Sequence, residues 1–369
     1  MEQILGNFGL LVEFPVVNLK IIIDGLMIGA LFALAAYGLA LVWGVMNVKN
    51  LAQGDFVIAG GYVAWWLTGQ GLPPLLGVPV AFVVLAAIGG AFYGTLPYRT
   101  VVQHKRPAIV VAAIAGVIFL SGSYVLTGVT DAETGSIVPA VTVIAGLVLM
   151  ALFVCSGGLY GLVISRVIGR DLFTSLLATF GVAIMMAQIL NLLFGSDTQS
   201  IKLPYDTLYF GEFVDVPIAK LIGVLLAAVL AGGVIYFMKT SRMGQAIRAT
   251  AQNPRAARVM GIDTEKVYAF TFSLNAAICG AAGAIIVMVW LIQPFYGITY
   301  SIRSFVIVTA AGLGNLPGVI AAGLGIGVFE QYGSHIFGIG YQQAIAVLLL
   351  LLVLMIRLAQ QRRNRQVLK

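Results

Sequence analysis

The polar side chains best placed to handle a solute in this chain are mostly neutral amides. Asn47, Lys49, Asn50, Gln53 and Asp55 crowd one short stretch between two apolar runs. Gln188 and Asn191 stand three apart on one helical face, Asn275 falls in the middle of another apolar run, and Asn315 sits in a glycine-rich break. Amides can donate and accept hydrogen bonds without carrying charge, so they either hold helices together or contact a passing solute. The 47–55 stretch admits two readings. It is an unwound segment lining a passage, because irregular backbone at membrane depth is tolerated only against protein or water, or it is a plain inner loop followed by a short helix.

A second chemistry lies between Gly244 and Asp263. Gly244, Arg248, Ala251, Arg255 and Arg258 are spaced by four and three residues, which aligns them on one side of a helix. Asn253-Pro254 interrupts that helix, since Asn caps a helix start and Pro favours its first position. The spacing therefore predicts two short helices, over 243–251 and 254–260, the second ended by Gly261. Their alanines make them narrow, and a narrow basic edge suits a groove lined with acid or carbonyl groups. The plainer reading is a solvated basic loop.

Other chemistries find no support. The sequence has no HExxH pair, no Gly-x-Ser-x-Gly turn and no phosphate-binding Gly-x-x-x-x-Gly-Lys-Ser/Thr loop. Its two histidines, His104 and His335, are far apart, and Cys155 and Cys279 both fall in apolar runs that suit small buried side chains. Glu330, Gln331 and His335 read as residues of an outer helix end rather than a proton relay.

The elements that must position these residues are apolar helices. Hydrophobic residues make up 60% of the chain, charged residues 9%, and the mean hydropathy is +1.01. Soluble domains carry roughly a quarter charged residues, so this is a polytopic membrane protein with an all-α architecture. Spanning windows fall near 20–43, 75–96, 107–128, 139–164, 173–194, 217–238, 267–292 and 338–357. A short span over 55–69 and a region broken at Gly312–Gly318 bring the expectation to about ten spans plus a broken helix or re-entrant hairpin. Gly323 and Gly327 form a GxxxG face for close packing against a helix or a second subunit. Acidic residues at Glu2 and Glu13 argue against a cleavable leader. Of the 21 Lys and Arg, an N-out, C-in topology leaves only Lys20, Lys202, Lys220 and Arg303 outside. Loop 195–216 then faces outward. Tyr93–Arg99 and Tyr160–Arg166 echo each other, either as a duplicated hairpin or as ordinary span ends.

The 244–263 block, Gly-x-Ala-x-Arg-Ala-x-Ala-x-Asn-x-x-Ala-Ala-x-x-Met-Gly-Ile, resembles the cytoplasmic loop of the permease subunits of branched-chain amino acid ABC importers, the LivH type. Gly29-Ala-Leu-Phe-Ala-Leu, Asn50-Leu-Ala-Gln-Gly-Asp55, Leu193-Phe-Gly-Ser-Asp197 and Gly312-Leu-Gly-Asn-Leu-Pro-Gly318 are similar to family landmarks in family order, across 20–357. The resemblance implies one permease domain over 1–369, with a coupling loop at 239–266 and a basic cytoplasmic tail at 358–369. It implies that Gly244, Arg248, Asn253, Ala257 and Gly261 meet a cytoplasmic ATPase. It implies as partners a second, LivM-type permease, two ATPase subunits holding ATP and Mg, and a periplasmic solute-binding protein at a bacterial inner membrane. No cofactor is expected in this chain.

Two departures qualify the resemblance. Gln53 stands where family members commonly have His, and roughly 65 extra residues between 97 and 165 add a helical hairpin. Branched-chain or other hydrophobic amino acids are the expected cargo, carried without enzymatic activity in this chain. Urea or short amides are the alternative cargo, and an ion-coupled secondary transporter is the alternative class.

Overall fold

The computed structural model describes residues 11, 13, 15–92, 172–203, 207–210, 214–312 and 314–367. The expected spans at 107–128 and 139–164, the echoed tyrosine segments and the extra hairpin at 97–165 lie outside them. From Gly25 onward the first helix, α1 (Pro15–Met46), carries no charged or amide side chain, and every residue from Leu31 to Trp43 is buried. A helix without a polar face has no solvent side, so it becomes the centre of a bundle. After it come α2 (Gln53–Gly69), α3 (Gly77–Phe92) and α4 (Leu172–Phe194).

A two-stranded antiparallel sheet follows, β1 (Thr207–Phe210) and β2 (Val214–Pro217), with Thr207 opposite Pro217 and Phe210 opposite Val214. This corrects the all-α expectation: a hairpin pays for its exposed edges less dearly in a water-facing loop than at membrane depth. Val216 buries against Met27 of α1, and Asp215 pairs with Lys20. The Lys20 ammonium, by donating a hydrogen bond to it, holds the Asp215 carboxyl below the ordinary carboxylate range.

The chain continues through α5 (Ile218–Thr240), α6 (Arg242–Gln252), α7 (Pro254–Val259), α8 (Thr264–Val289), α9 (Gly297–Ala311), α10 (Leu316–Phe337) and α11 (Gln342–Val367). Two seams of small residues hold the bundle. Gly323 and Gly327 of α10 face Ala33, Gly29 and Gly25 of α1, so the helices run antiparallel, and a Cβ on Gly25 would lie 2.6 Å from the Val328 Cα. The GxxxG face thus finds its partner within this chain. In the second seam, Gly280 and Gly283 of α8 meet Gly60, Val57 and Gly61 of α2. Lipid offers helices no hydrophobic gain on meeting, so such close backbone approach supplies the dispersion that holds them.

Among the described residues, Val16–Met46, Ile218–Thr240 and Thr264–Val289 are each long and apolar enough to cross a membrane. Pro294–Ala311 and Leu316–Phe337 meet the same test together as a pair bent by 120°, and Pro74–Gly89, Thr179–Phe194 and Ala344–Ile356 are shorter apolar helices. The architecture is a helical, polytopic membrane bundle.

One placement differs from the sequence expectation. The sequence reads Arg303 as an outward charge and Glu330 as a residue of an outer helix end, yet their side chains are 8% and 1% exposed and lie 3.3 Å apart. The bend between α9 and α10 brings the two helices face to face, and each charge cancels the other while the Arg303 guanidinium lies 4.5 Å from the Phe32 ring.

Candidate functional site

The first break begins where α1 ends. Asn47 takes φ +53°, a left-handed conformation that Asn tolerates better than other side chains, and its N–H closes on the Trp43 carbonyl at 3.1 Å. The chain then turns back along the helix it has just left. Gln53 reaches the carbonyl of Ala35, eleven residues or ~16 Å before the end of α1. The six residues between lie outside any helix, the last two of them in a turn, and they are tied from both sides. Thr179 of α4 accepts from Leu51 N–H at 3.1 Å and donates to the Lys49 carbonyl, and Ser301 of α9 accepts from Gly54 N–H at 2.8 Å and donates to the Leu51 carbonyl at 2.6 Å.

Asn50, Gln53 and Asp55 are buried there, and Asn275 of α8 lies close by. The Ala35 carbonyl that receives Gln53 also faces Cys279, whose thiol donates to Asn275 Oδ1 at 3.5 Å. Gly38 leaves the room Asn275 occupies. Among the described residues, Asn50 Nδ2, Gln53 Oε1, Asp55 Oδ2 and Asn275 Nδ2 have no hydrogen-bond partner. Buried polar atoms are normally satisfied, so this group can take up a solute's hydrogen bonds without first breaking its own. Asp55 is the one carboxylate of the 47–55 cluster, which is its signal in the sequence.

The remaining amides are elsewhere. Gln188 is exposed on the face of α4 that also carries Ile184 and Leu192, and Asn191 is only partly covered. Asn315 caps α10, accepting from Gly318 N–H at 3.1 Å while donating to the Ala311 carbonyl at 3.4 Å. It stitches the two halves of the bent pair together and is satisfied in doing so.

The basic loop folds into the two short helices that its spacing predicts. Ser241 caps α6 through Gly244 N–H at 2.9 Å, and Asn253 caps α7 through Arg255 and Ala256 N–H at 3.0 and 3.1 Å. Gly261, at φ +84°, closes α7: its N–H bonds the Arg258 carbonyl and Ile262 N–H bonds the Ala257 carbonyl, both at 3.0 Å. Gly244 is buried against Met238, where a Cβ would clash, and Arg248 donates to the Met238 carbonyl, one of the orphan acceptors at the end of α5. Ala257 is buried, whereas Asn253 and Gly261 face outward.

The loop's exposed tip is apolar. Val259 and Met260 are 86% and 81% exposed, flanked by Arg255 and Arg258. A charge-counting reading overlooks them, although a Val-Met pair at the end of a basic helix was legible as a signal.

At the opposite end of the bundle, two cavities of about 240 and 430 Å³ share Val289 and Trp290 at the end of α8. The segment Gln199–Ile201 lies beside them, paired with Ile292 and with the Val287 carbonyl at 2.8 to 3.0 Å.

Comparisons with known proteins identify the family. The family model described as branched-chain amino acid transport system / permease component matches residues 21–135 and 108–358. The high-affinity branched-chain amino acid transport system permease protein BraD of Pseudomonas aeruginosa is 24% identical over 354 residues, covering 92% of this chain and 94% of that one. LivH of Escherichia coli K12 is 24% identical, covering 90% and 91%, and the probable LivH of Methanocaldococcus jannaschii is 28% identical, covering 91% and 90%. With apolar helices and matches running nearly end to end, the chain belongs to the branched-chain amino acid transport system permease component family.

Proposed function

We propose that this chain is the permease subunit of a binding-protein-dependent ABC importer that carries branched-chain or other hydrophobic amino acids. In this reading it lies in a bacterial inner membrane with its N-terminus outside, and it crosses about ten times. A LivM-type permease completes the pathway, two cytoplasmic subunits bind and hydrolyse ATP with Mg, and a periplasmic protein delivers the solute. Residues 97–165 add a hairpin to the single permease domain, and 358–369 form a basic tail.

The observation that carries the reading is the α6–α7 loop. It is capped at both helix starts, closed by Gly261 and pinned to α5 by Arg248, so it moves as one piece. Ile247 and Thr250 bury its inner face, and α6 touches α1, α5 and α8. A push on the outer tip therefore reaches the helices that make both seams, as rigid-body coupling requires. Gly244, Arg248 and Ala257 serve that rigidity from within, while Asn253 and Gly261 shape the surface that Val259 and Met260 present to the ATPase. Asn50, Gln53, Asn275 and Asp55 are the groups most suited to the pathway; Asn47 sets the turn that leads into them, Asn315 caps the neighbouring bend, and Gln188 and Asn191 stand apart on α4.

The test is a Val259→Asp, Met260→Asp double variant of the assembled importer. Co-purification of the ATPase and ATP-dependent leucine uptake into vesicles should both fall at least about tenfold, since a buried apolar pair contributes roughly 2 to 4 kcal/mol to such an interface. Unchanged association and uptake would overturn the assignment. Uptake by this chain alone, abolished by an uncoupler, would establish an ion-coupled carrier instead.

A further inference from the structure

The smaller of the two cavities combines features that the bundle does not need for packing. Its walls include Ile28 of α1, Lys220 of α5, Trp290 after α8, Gln331 and Ser334 of α10, and Gln342 at the start of α11. Lys220 is bonded at 2.7 Å to Asp24, one helical turn before Ile28, and these side chains are only 22% and 14% exposed. A clamp between α1 and this part of the chain already exists in the half-exposed Lys20–Asp215 pair. A second pair, sunk deeper beside an open cavity, is a costly way to add another clamp, because desolvating two charges offsets much of their attraction.

Chemistry narrows the occupant. Lys220 lines the cavity and Asp24, which does not, stands behind it as its partner, so a ligand carrying both charges can take Lys220 with its carboxylate and offer its ammonium to Asp24 in exchange. The exchange leaves no charge unpaired. Gln331, Ser334 and Gln342 offer neutral hydrogen bonds, whereas Ile28, Val289 and Trp290 offer an apolar wall. About 240 Å³ is below the size of pockets for drug-like ligands and suits one small solute. A metal ion would find one carboxylate facing a lysine, and urea would have no use for either charge.

We propose that this cavity is an outer acceptance site for the zwitterion of a small aliphatic α-amino acid, at the end of the bundle opposite the α6–α7 loop. The assignment rests on the transport reading for its orientation, but not for its ligand chemistry. Trp290 reports on it directly. The chain has four tryptophans, and replacing Trp43, Trp65 and Trp66 with Phe leaves Trp290 as the sole emitter.

The purified full-length chain is titrated with leucine, leucinamide, 4-methylpentanoate and urea. Leucine should change Trp290 emission saturably. Leucinamide and 4-methylpentanoate, which each lack one charge, should bind at least about tenfold more weakly, and urea should leave the signal flat. The neutral pair Lys220→Met with Asp24→Asn strands no charge and should abolish the preference for leucine. Ser334→Phe should remove binding by filling the cavity, and Gln342→Trp, read by calorimetry, should block it from a second helix should Ser334→Phe not fold.

A flat leucine signal up to about 10 mM, a value at which even very weak specific binding would register, overturns the proposal. So does leucinamide binding as well as leucine. Leucine uptake by the assembled importer alongside a flat Trp290 signal overturns the cavity and leaves the transport reading standing. A saturating signal in an importer that moves no leucine supports the cavity and overturns the transport reading.

Discussion

The two interruptions in the helical bundle look alike in outline and differ in what they do with polar groups. The first, between Met46 and Gln53, carries Asn, Lys and Gln, and folds inward until Asn50 and Gln53 are buried against α1, with Asp55 following in α2. The second, at Gly312–Asn315, carries glycines at φ +92° and +76° and a satisfied Asn cap, and it stays near the surface. They adjoin: Gly44 in the last turn of α1 packs on Gly314, and Lys49 lies 5.1 and 5.5 Å from the stacked rings of Trp43 and Phe305. Glycine lets a chain turn cheaply, so the second break is a corner. The first turns with an asparagine and has to be held in place by its neighbours, which makes it the candidate site.

That contrast is broken most severely at Gly54. Its Cα faces the Gly297 backbone so closely that any side chain would collide, whereas Gly314 opens onto free space. Gly54→Val should prevent a monodisperse chain from being recovered in detergent, because backbone on both sides cannot move aside. Gly314→Val meets only the left-handed strain, about 1 to 2 kcal/mol, and should fold with a lowered melting temperature. If both variants behave alike, the two breaks are the same kind of structure.

Ser301→Ala comes next in size. It deletes the one hydroxyl that both accepts from Gly54 and donates to Leu51, leaving two buried backbone groups without a partner, at a cost of about 2 to 4 kcal/mol. Equilibrium unfolding in detergent mixtures measures the loss, and Ser301→Thr should restore part of it. A loss under about 1 kcal/mol would mean that the inward fold of the first break does not depend on α9.

The sequence makes the corner easier to read than the site. Gly312 and Pro317 are local signals, and local signals survive without the rest of the fold, although Asn315 beside them reads as a solute-handling amide and is a cap. The same holds for Asn253 and Gly261, which place the α6–α7 helices within a residue or two of expectation. Ser301 is the counterexample, since its partners are roughly 250 residues away in sequence and nothing beside it marks the role. Arg303 and Glu330 show the same limit: each reads as a span-end charge until the bend brings them together. Spacing distinguished Gln188 and Asn191 as a pair but could not tell which side of α4 faces the bundle. Asn275 and Gln53, on different helices, converge only because glycines at 38, 60, 280 and 283 let α1, α2 and α8 close up.

Asn315→Ala tests the corner at smaller scale. It removes one capping bond and should cost about 1 kcal/mol, with the cap exposed to water that can replace it in part. Leucine uptake by the assembled importer should stay within about twofold of the parent if the residue is a cap and nothing more. A tenfold fall in uptake with unchanged stability would instead place Asn315 on the solute's route and turn the corner into a second site.

The smallest effect belongs to Asn47→Gly, and its sign is informative. At φ +53° a glycine is easier to hold than an asparagine, although glycine also adds freedom to the unfolded chain. The two terms nearly cancel, so Asn47→Gly should change stability by no more than about 0.5 kcal/mol, whereas Asn47→Val, forced into the same conformation with a β-branched side chain, should lose about 1 to 2 kcal/mol. Asn47 is exposed and its N–H is already committed to Trp43. If the glycine variant keeps its stability but loses transport, the Asn47 amide contributes more than a turn, and the solute-handling group extends outward from Asn50 to the mouth of the break.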